Sequence, residues 1–163
     1  MESFIFLGIG LVVGALIGWL VASRKSASAG GADDSQELRV KLAIAEATIN
    51  AKGGHSNFKL VPGYSHTICA SINDEVVHGI PSATRVLKAG DIISVDCGAE
   101  IGEWNGDSAI TVIVPNEDGT QVDSDLVRAR QVLSDVTEQS LWAGIAALAK
   151  AEYLNEVGMA IEE

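Results

Sequence analysis

The sequence predicts an α+β fold: an antiparallel sheet and a long helix, preceded by one transmembrane helix. Three observations predict it. Two β-rich runs flank a glycine-bearing centre between Asp91 and Thr111. Apolar residues at helical spacing run from Ser124 to about Lys150. Phe4 to Ala22 forms a run of 19 residues without a charge, long enough to cross the hydrocarbon core as a helix.

The apolar run comes first in the chain. Arg24 and Lys25 follow it at once, which by the positive-inside rule places the remainder in the cytoplasm. A secretory signal peptide is the competing reading, with Ala27-Ser28-Ala29 as its cleavage site. No basic residue precedes the run, however, and a signal peptide carries its charge there. A retained single-pass anchor over residues 1–25 is therefore expected, with membrane contact through residues 4–22. Gly10, Gly14 and Gly18 line one face of that helix; they either admit a second helix or reflect the frequency of glycine in membrane helices.

Residues 26–54 read as a small-residue linker, SASAGGA, and a short amphipathic helix. Leu38, Leu42, Ala45 and Ile49 form its stripe. A juxtamembrane stalk and a helix packed on the body both fit. Residues 55–163 form the body. Thr67 to Ser71 reads as a strand, Asn73-Asp74 as a turn and Glu75 to His78 as another extended piece. The central hairpin follows, then a surface turn at Pro115 to Gly119. Leu126, Ala129, Leu133, Val136, Leu141, Ile145 and Leu148 give the long helix one apolar face, with a bend expected near Gly144. A short last helix starts near Asn155.

The formal net charge of −11 and the scatter of basic residues disfavour a nucleic-acid partner. Cys69 and Cys97 do not make a disulfide framework; both read as buried thiols. No Ser-His-Asp triad, phosphate loop, HExxH or CxxC is present.

The chemistry concentrates in the hairpin. If it turns near Ile101-Gly102, facing residues have numbers that sum to 203, which pairs Asp96 with Asp107. Directly opposed residues have Cβ atoms about 5 Å apart. Two carboxylates that close repel unless protons or cations neutralise them. A pair of divalent metals does so and supports hydrolysis. The plainer reading makes Asp107 a bend cap within NGD. Asp96 is harder to dismiss, because SVDCG otherwise looks buried and a buried charge needs a partner. Of the three histidines, His78 in VVHGIP is the candidate for a substrate hydrogen bond or proton transfer. A histidine satisfied by backbone within a turn fits it equally.

These residues carry a likeness. Thr67-Ile68-Cys69, Ser71-Ile72-Asn73 and Glu75-Val76-Val77-His78-Gly79-Ile80-Pro81 resemble the first half of type I methionine aminopeptidases. The resemblance continues through Leu87 to Ile92, Val95 to Ala99, Trp104, Gly106-Asp107 and Ser140 to Ile145. It implies half of a pita-bread fold, in which two similar α+β halves surround a dinuclear centre of Co, Mn or Fe. The implied substrate is the N-terminal methionine of polypeptides. By resemblance, Asp96 is a ligand to one metal and Asp107 bridges both. His78 contacts the substrate, and Tyr64 and Cys69 border the methionine side-chain pocket. Asn105 stands where many members have histidine, at a position that is not a ligand.

The family takes one His and two Glu ligands from its second half. No histidine follows His78 here, and Glu162 and Glu163 do not match those ligands. The expectation is weak metal binding and no aminopeptidase activity by these residues alone, with a complementary second-half chain as the partner that would complete the site. The alternative is a membrane-anchored, non-catalytic half-domain acting as a binding or scaffold module. The N-terminal segment resembles the anchor-plus-coil start of RmuC-type proteins.

Overall fold

A computed structural model describes residues 46–82, 84–116, 119 and 121–162. The expected membrane span, the linker, most of the amphipathic stretch and the RmuC-like beginning lie outside the described residues. Among the described residues, no helix is long and apolar enough to cross a membrane.

Residues 46–51 are helical, and a 3₁₀ turn spans Asn57–Leu60. Three antiparallel strands follow: β1 (Ile68–Ile72), β2 (Ile92–Ile101) and β3 (Trp104–Ile113), in the order β1-β2-β3. Two helices follow among the described residues, α1 (Ser124–Leu148) and α2 (Leu154–Glu162). The chain divides into two compact units at Val114/Pro115, the sheet before and the helix pair after.

Alternation along the strands sorts the side chains onto two faces. Ile68, Ile93, Val95, Cys97, Ala99 and Ile110 share one face and form the core with Ile49. Ile49 is 7% exposed, so the end of the amphipathic stretch packs on the body. The other face carries Cys69, Ser71, Ser94, Asp96, Asp107 and Thr111. Ser94 Oγ and Thr111 Oγ1 are joined across it at 2.7 Å. Both cysteines are free and buried, as expected, and they lie on opposite faces of the sheet.

The hairpin register differs from the expected one. Asp96 faces Ala109, and Asp107 faces Gly98; the numbers of facing residues sum to 205. The cause is the turn. Gly102 has φ +62° and occupies the first central position, as a II′ hairpin turn requires of glycine. The turn therefore centres one residue later than expected, and every pair slips by two. A slip of two preserves the faces, whereas a slip of one would invert them. Residues 75–78, expected to be extended, form no strand.

In the second unit, Asp123 caps α1: its carboxylate accepts from the N–H groups of Asp125 at 2.9 Å and Leu126 at 3.1 Å. The helix runs unbroken through Gly144, where a bend was expected. Gly144 is buried because Ile161 of α2 seats on it; a Cβ there would lie 2.8 Å from Ile161 Cγ1. The apolar stripe of α1 is exposed, with Leu133 at 62%, Leu141 at 57% and Leu148 at 59%. The contact with α2 is made at Gly144.

Candidate metal centre

Asp96, Asp107 and Cys69 share the polar face of the sheet, Tyr64 is bonded to Cys69, and His78 is near enough for its charge to act on Asp96. Asp96 and Asp107 are diagonal neighbours in the register, a relation that puts Cβ atoms roughly 7 Å apart and leaves the carboxylates free to converge. They do converge: the two side chains are within hydrogen-bond reach. Burial first, and then the charge of Asp107 and its hydrogen bond, push Asp96 up to about 6. The Cys97 N–H and the nearby His78 pull weakly the other way. Such a pair is short of positive charge, and it shares a proton where it lacks a cation.

Cys69 directly faces Asp96 across β1 and β2 and is 4% exposed. Tyr64 Oη donates to the Ile68 carbonyl at 2.8 Å and lies 3.2 Å from Cys69 Sγ. Its phenol is held well above the ordinary range by burial, then by Cys69 and Asp96. Cys97, behind the sheet, is pushed up to about 11 by burial and then by the two aspartates.

His78 reaches the site from a loop. Its backbone is left-handed, with φ +59°, a region that costs about 1 kcal/mol or more for a residue with a Cβ. Gly79 presses the loop onto β1: the Ala70 N–H donates to the Gly79 carbonyl at 2.8 Å, and the Gly79 N–H donates to Ser71 Oγ at 3.1 Å. A Cβ at position 79 would sit 2.3 Å from the Ala70 carbonyl oxygen. The glycine in VVHGIP is therefore required by close approach.

Two residues escaped the sequence reading, which treated 55–65 as irregular. Asn57 and Phe58 of the 3₁₀ turn lie over Gly98, opposite Asp107. A Cβ at Gly98 would meet Asn57 Oδ1 at 2.2 Å and Phe58 Cε1 at 2.8 Å. Asn57 Nδ2 donates to Asn105 Oδ1 at 3.1 Å, and Asn57 Oδ1 is buried without a partner among the described residues. The Phe58 ring meets Tyr64 edge-on at 6.4 Å, and Tyr64 meets His66 at 5.7 Å. The available signal was Gly98 itself, a side-chain-free position inside a strand. His55 is apart from the site, bridged through its backbone to Glu100.

The residues fit a cation in part. Two converging carboxylates supply negative charge and oxygen donors, the donor type that suits Mn and related ions. Among the described residues, no group of three or more His, Cys, Asp or Glu side chains is arranged to hold a metal ion.

Comparisons agree with this architecture. The model of metallopeptidase family M24 matches residues 23–163, and the chain belongs to that family. It is 47% identical over 119 residues to methionine aminopeptidase 1 of Mycobacterium tuberculosis, covering 73% of this chain and 41% of the relative. It is 42% identical over 119 residues to methionine aminopeptidase 1 of Bacillus subtilis, covering 73% and 44%. The chain thus spans less than half the length of these relatives. Among solved structures, it resembles methionine aminopeptidase of Thermotoga maritima with a TM-score of 0.56 at 29% identity, covering 80% of this chain and 47% of that one. It shares the fold of methionine aminopeptidase from Rickettsia prowazekii with a TM-score of 0.64 at 21% identity, covering 88% and 51%. The antiparallel sheet and long helices form part of a pita-bread-like fold.

Proposed function

We propose that this chain supplies the carboxylate–histidine portion of a methionine aminopeptidase site. The observation that carries the reading is the convergence of Asp96 and Asp107 on one face of the sheet, with Asp96 held up to about 6. Asp96 and Asp107 would hold the divalent cation, as the two converging carboxylates that supply its negative charge and oxygen donors. Cations of this class activate water for peptide hydrolysis and polarise the scissile carbonyl. His78 offers its imidazole to the substrate carbonyl from the loop edge. Tyr64, Cys69 and Phe58 border the apolar side chain of the substrate's first residue. The likeness to relatives named methionine aminopeptidase supports methionine as that residue.

An octahedral oxygen site takes about six donors, so the pair alone binds weakly and the remaining donors come from a complementary segment. Turnover by these 163 residues alone is not expected. The anchor at residues 4–22 with a cytoplasmic body is part of the same proposal, supported by the uncharged run and by Arg24 and Lys25; the family match begins just past it, at residue 23.

The test is release of methionine from a Met-Ala-Ser peptide with added Mn²⁺ or Co²⁺. The chain is assayed alone and mixed with the carboxy-terminal portion of the M. tuberculosis relative. Turnover only in the mixture, abolished by Asp96→Ala, supports the reading. Turnover that survives Asp96→Ala and Asp107→Ala together contradicts it.

A further inference from the structure

The loop that carries His78 is fastened at three levels. At its base, the Asn73 N–H donates to the Ile92 carbonyl at 2.9 Å, and the Ile92 N–H donates back to Asn73 Oδ1 at 3.2 Å. Asn73 Nδ2 also donates to Asp91 Oδ1 at 2.9 Å. At its tip, Gly79 is pinned to β1 through Ala70 and Ser71. Between base and tip lies a third fastening. The Arg85 guanidinium pairs with the Glu75 carboxylate through Nη2, and its Nη1 donates to the Ile80 carbonyl at 3.3 Å. Glu75 is itself fixed, since its Oε2 also accepts the Ile72 N–H at 2.9 Å. The Ile72 N–H first, and then Arg85, hold the Glu75 carboxyl below its ordinary range.

This third fastening has a specific place. Glu75 and Ile80 flank the segment in which His78 adopts φ +59°. A left-handed backbone is unfavourable for a residue with a Cβ and persists where its surroundings over-determine it. Val76 at 89% exposed and Val77 at 65% exposed contribute little packing of their own. The base fastening leaves residues 75–80 free to splay, and the tip holds one point of the loop. A guanidinium reaches two acceptors at once in a fixed fork, which an ammonium does not do.

We propose that Arg85 is a positioning residue for His78: by tying Glu75 to the Ile80 carbonyl, it holds the intervening segment in the conformation that presents the imidazole to the carboxylate face. The functional half of this inference rests on the substrate-contacting reading of His78. The structural half stands on the contacts alone.

The experiment uses the whole chain and NMR, with Arg85→Ala and Arg85→Lys. The first readout is amide hydrogen exchange. In Arg85→Ala the Gly79 and Ala70 amides should exchange roughly tenfold faster, with Val95 and Ala99 unchanged, as for local opening. Arg85→Lys should fall between, because an ammonium does not span both acceptors in a fixed fork. Unchanged Gly79 exchange in Arg85→Ala, or equal acceleration at every amide, would overturn the proposal. The second readout is the shift of the His78 ring signals on titration with a Met-Ala-Ser peptide. Arg85→Ala should weaken that binding roughly fivefold, in line with losing a preorganised contact. Equal binding by wild type and Arg85→Ala overturns the functional half. No response in wild type sinks the substrate reading of His78 instead, and the exchange readout still decides the fastening.

Discussion

Asp96 and Asp107 stand on neighbouring strands two residues out of direct register, each facing a residue without bulk: Ala109 and Gly98. The offset is what lets two carboxylates share one face without either being blocked by its cross-strand partner. It also makes the pair electrostatically costly in the absence of a cation.

That cost has a pH signature. Asp96 is raised from 3.8 to about 6, so the folded state binds a proton more tightly than the unfolded chain. The fold carries no penalty below about pH 4 and loses stability as pH rises through about 6. Asp96→Asn removes the charge. Discounted for partial solvent exposure, it should stabilise the protein at pH 7.5 by on the order of 1 kcal/mol and have little effect at pH 4. Urea unfolding at the two pH values checks this; a destabilised variant at pH 7.5 would show that the carboxylate is satisfied by something else.

Gly98→Ala should destabilise by about 1–3 kcal/mol, the usual cost of forcing atoms into a filled space. The added methyl meets the Asn57 amide first. Adding Asn57→Ala should recover part of the loss, but not all, because the Phe58 ring edge also lies within 2.8 Å. Thermal unfolding of the two singles and the double measures the coupling.

Two other glycines should respond differently to the same change. In Gly79→Ala the new methyl meets backbone, the Ala70 carbonyl oxygen at 2.3 Å, which cannot step aside without breaking the loop from β1. The expected loss is about 3 kcal/mol or more, by comparison with other overpacked sites. In Gly144→Ala the methyl meets the tip of Ile161 at 2.8 Å, a side chain with room to rotate. Replacing a helical glycine by alanine gains about 1 kcal/mol, so the net effect should lie near zero. Melting temperatures of the two variants compare them directly.

The sheet face was legible in the sequence because it depends only on parity: Asp96 and Asp107 stay together under any even slip of the hairpin. The register was not legible, because it hung on which residue of the turn must take a positive φ, and Gly102 claimed the first central place. The left-handed backbone of His78 left no local mark. Nor did the cover over Gly98, which comes from Asn57, 48 residues before its partner Asn105. On α1, periodicity located the helix and its apolar face. It did not mark where α2 would seat: the large apolar residues are exposed, while Gly144 supplies the contact with Ile161.

The most direct test of the central claim is Mn²⁺ binding followed by electron paramagnetic resonance at pH 7.5. Wild type is compared with Asp96→Asn, Asp107→Asn and the double variant. Because the two carboxylates act on one ion as a unit, each single change should weaken the site about as much as both together. Single losses that add up independently in the double variant, or affinities that none of the changes alters, would contradict the shared site.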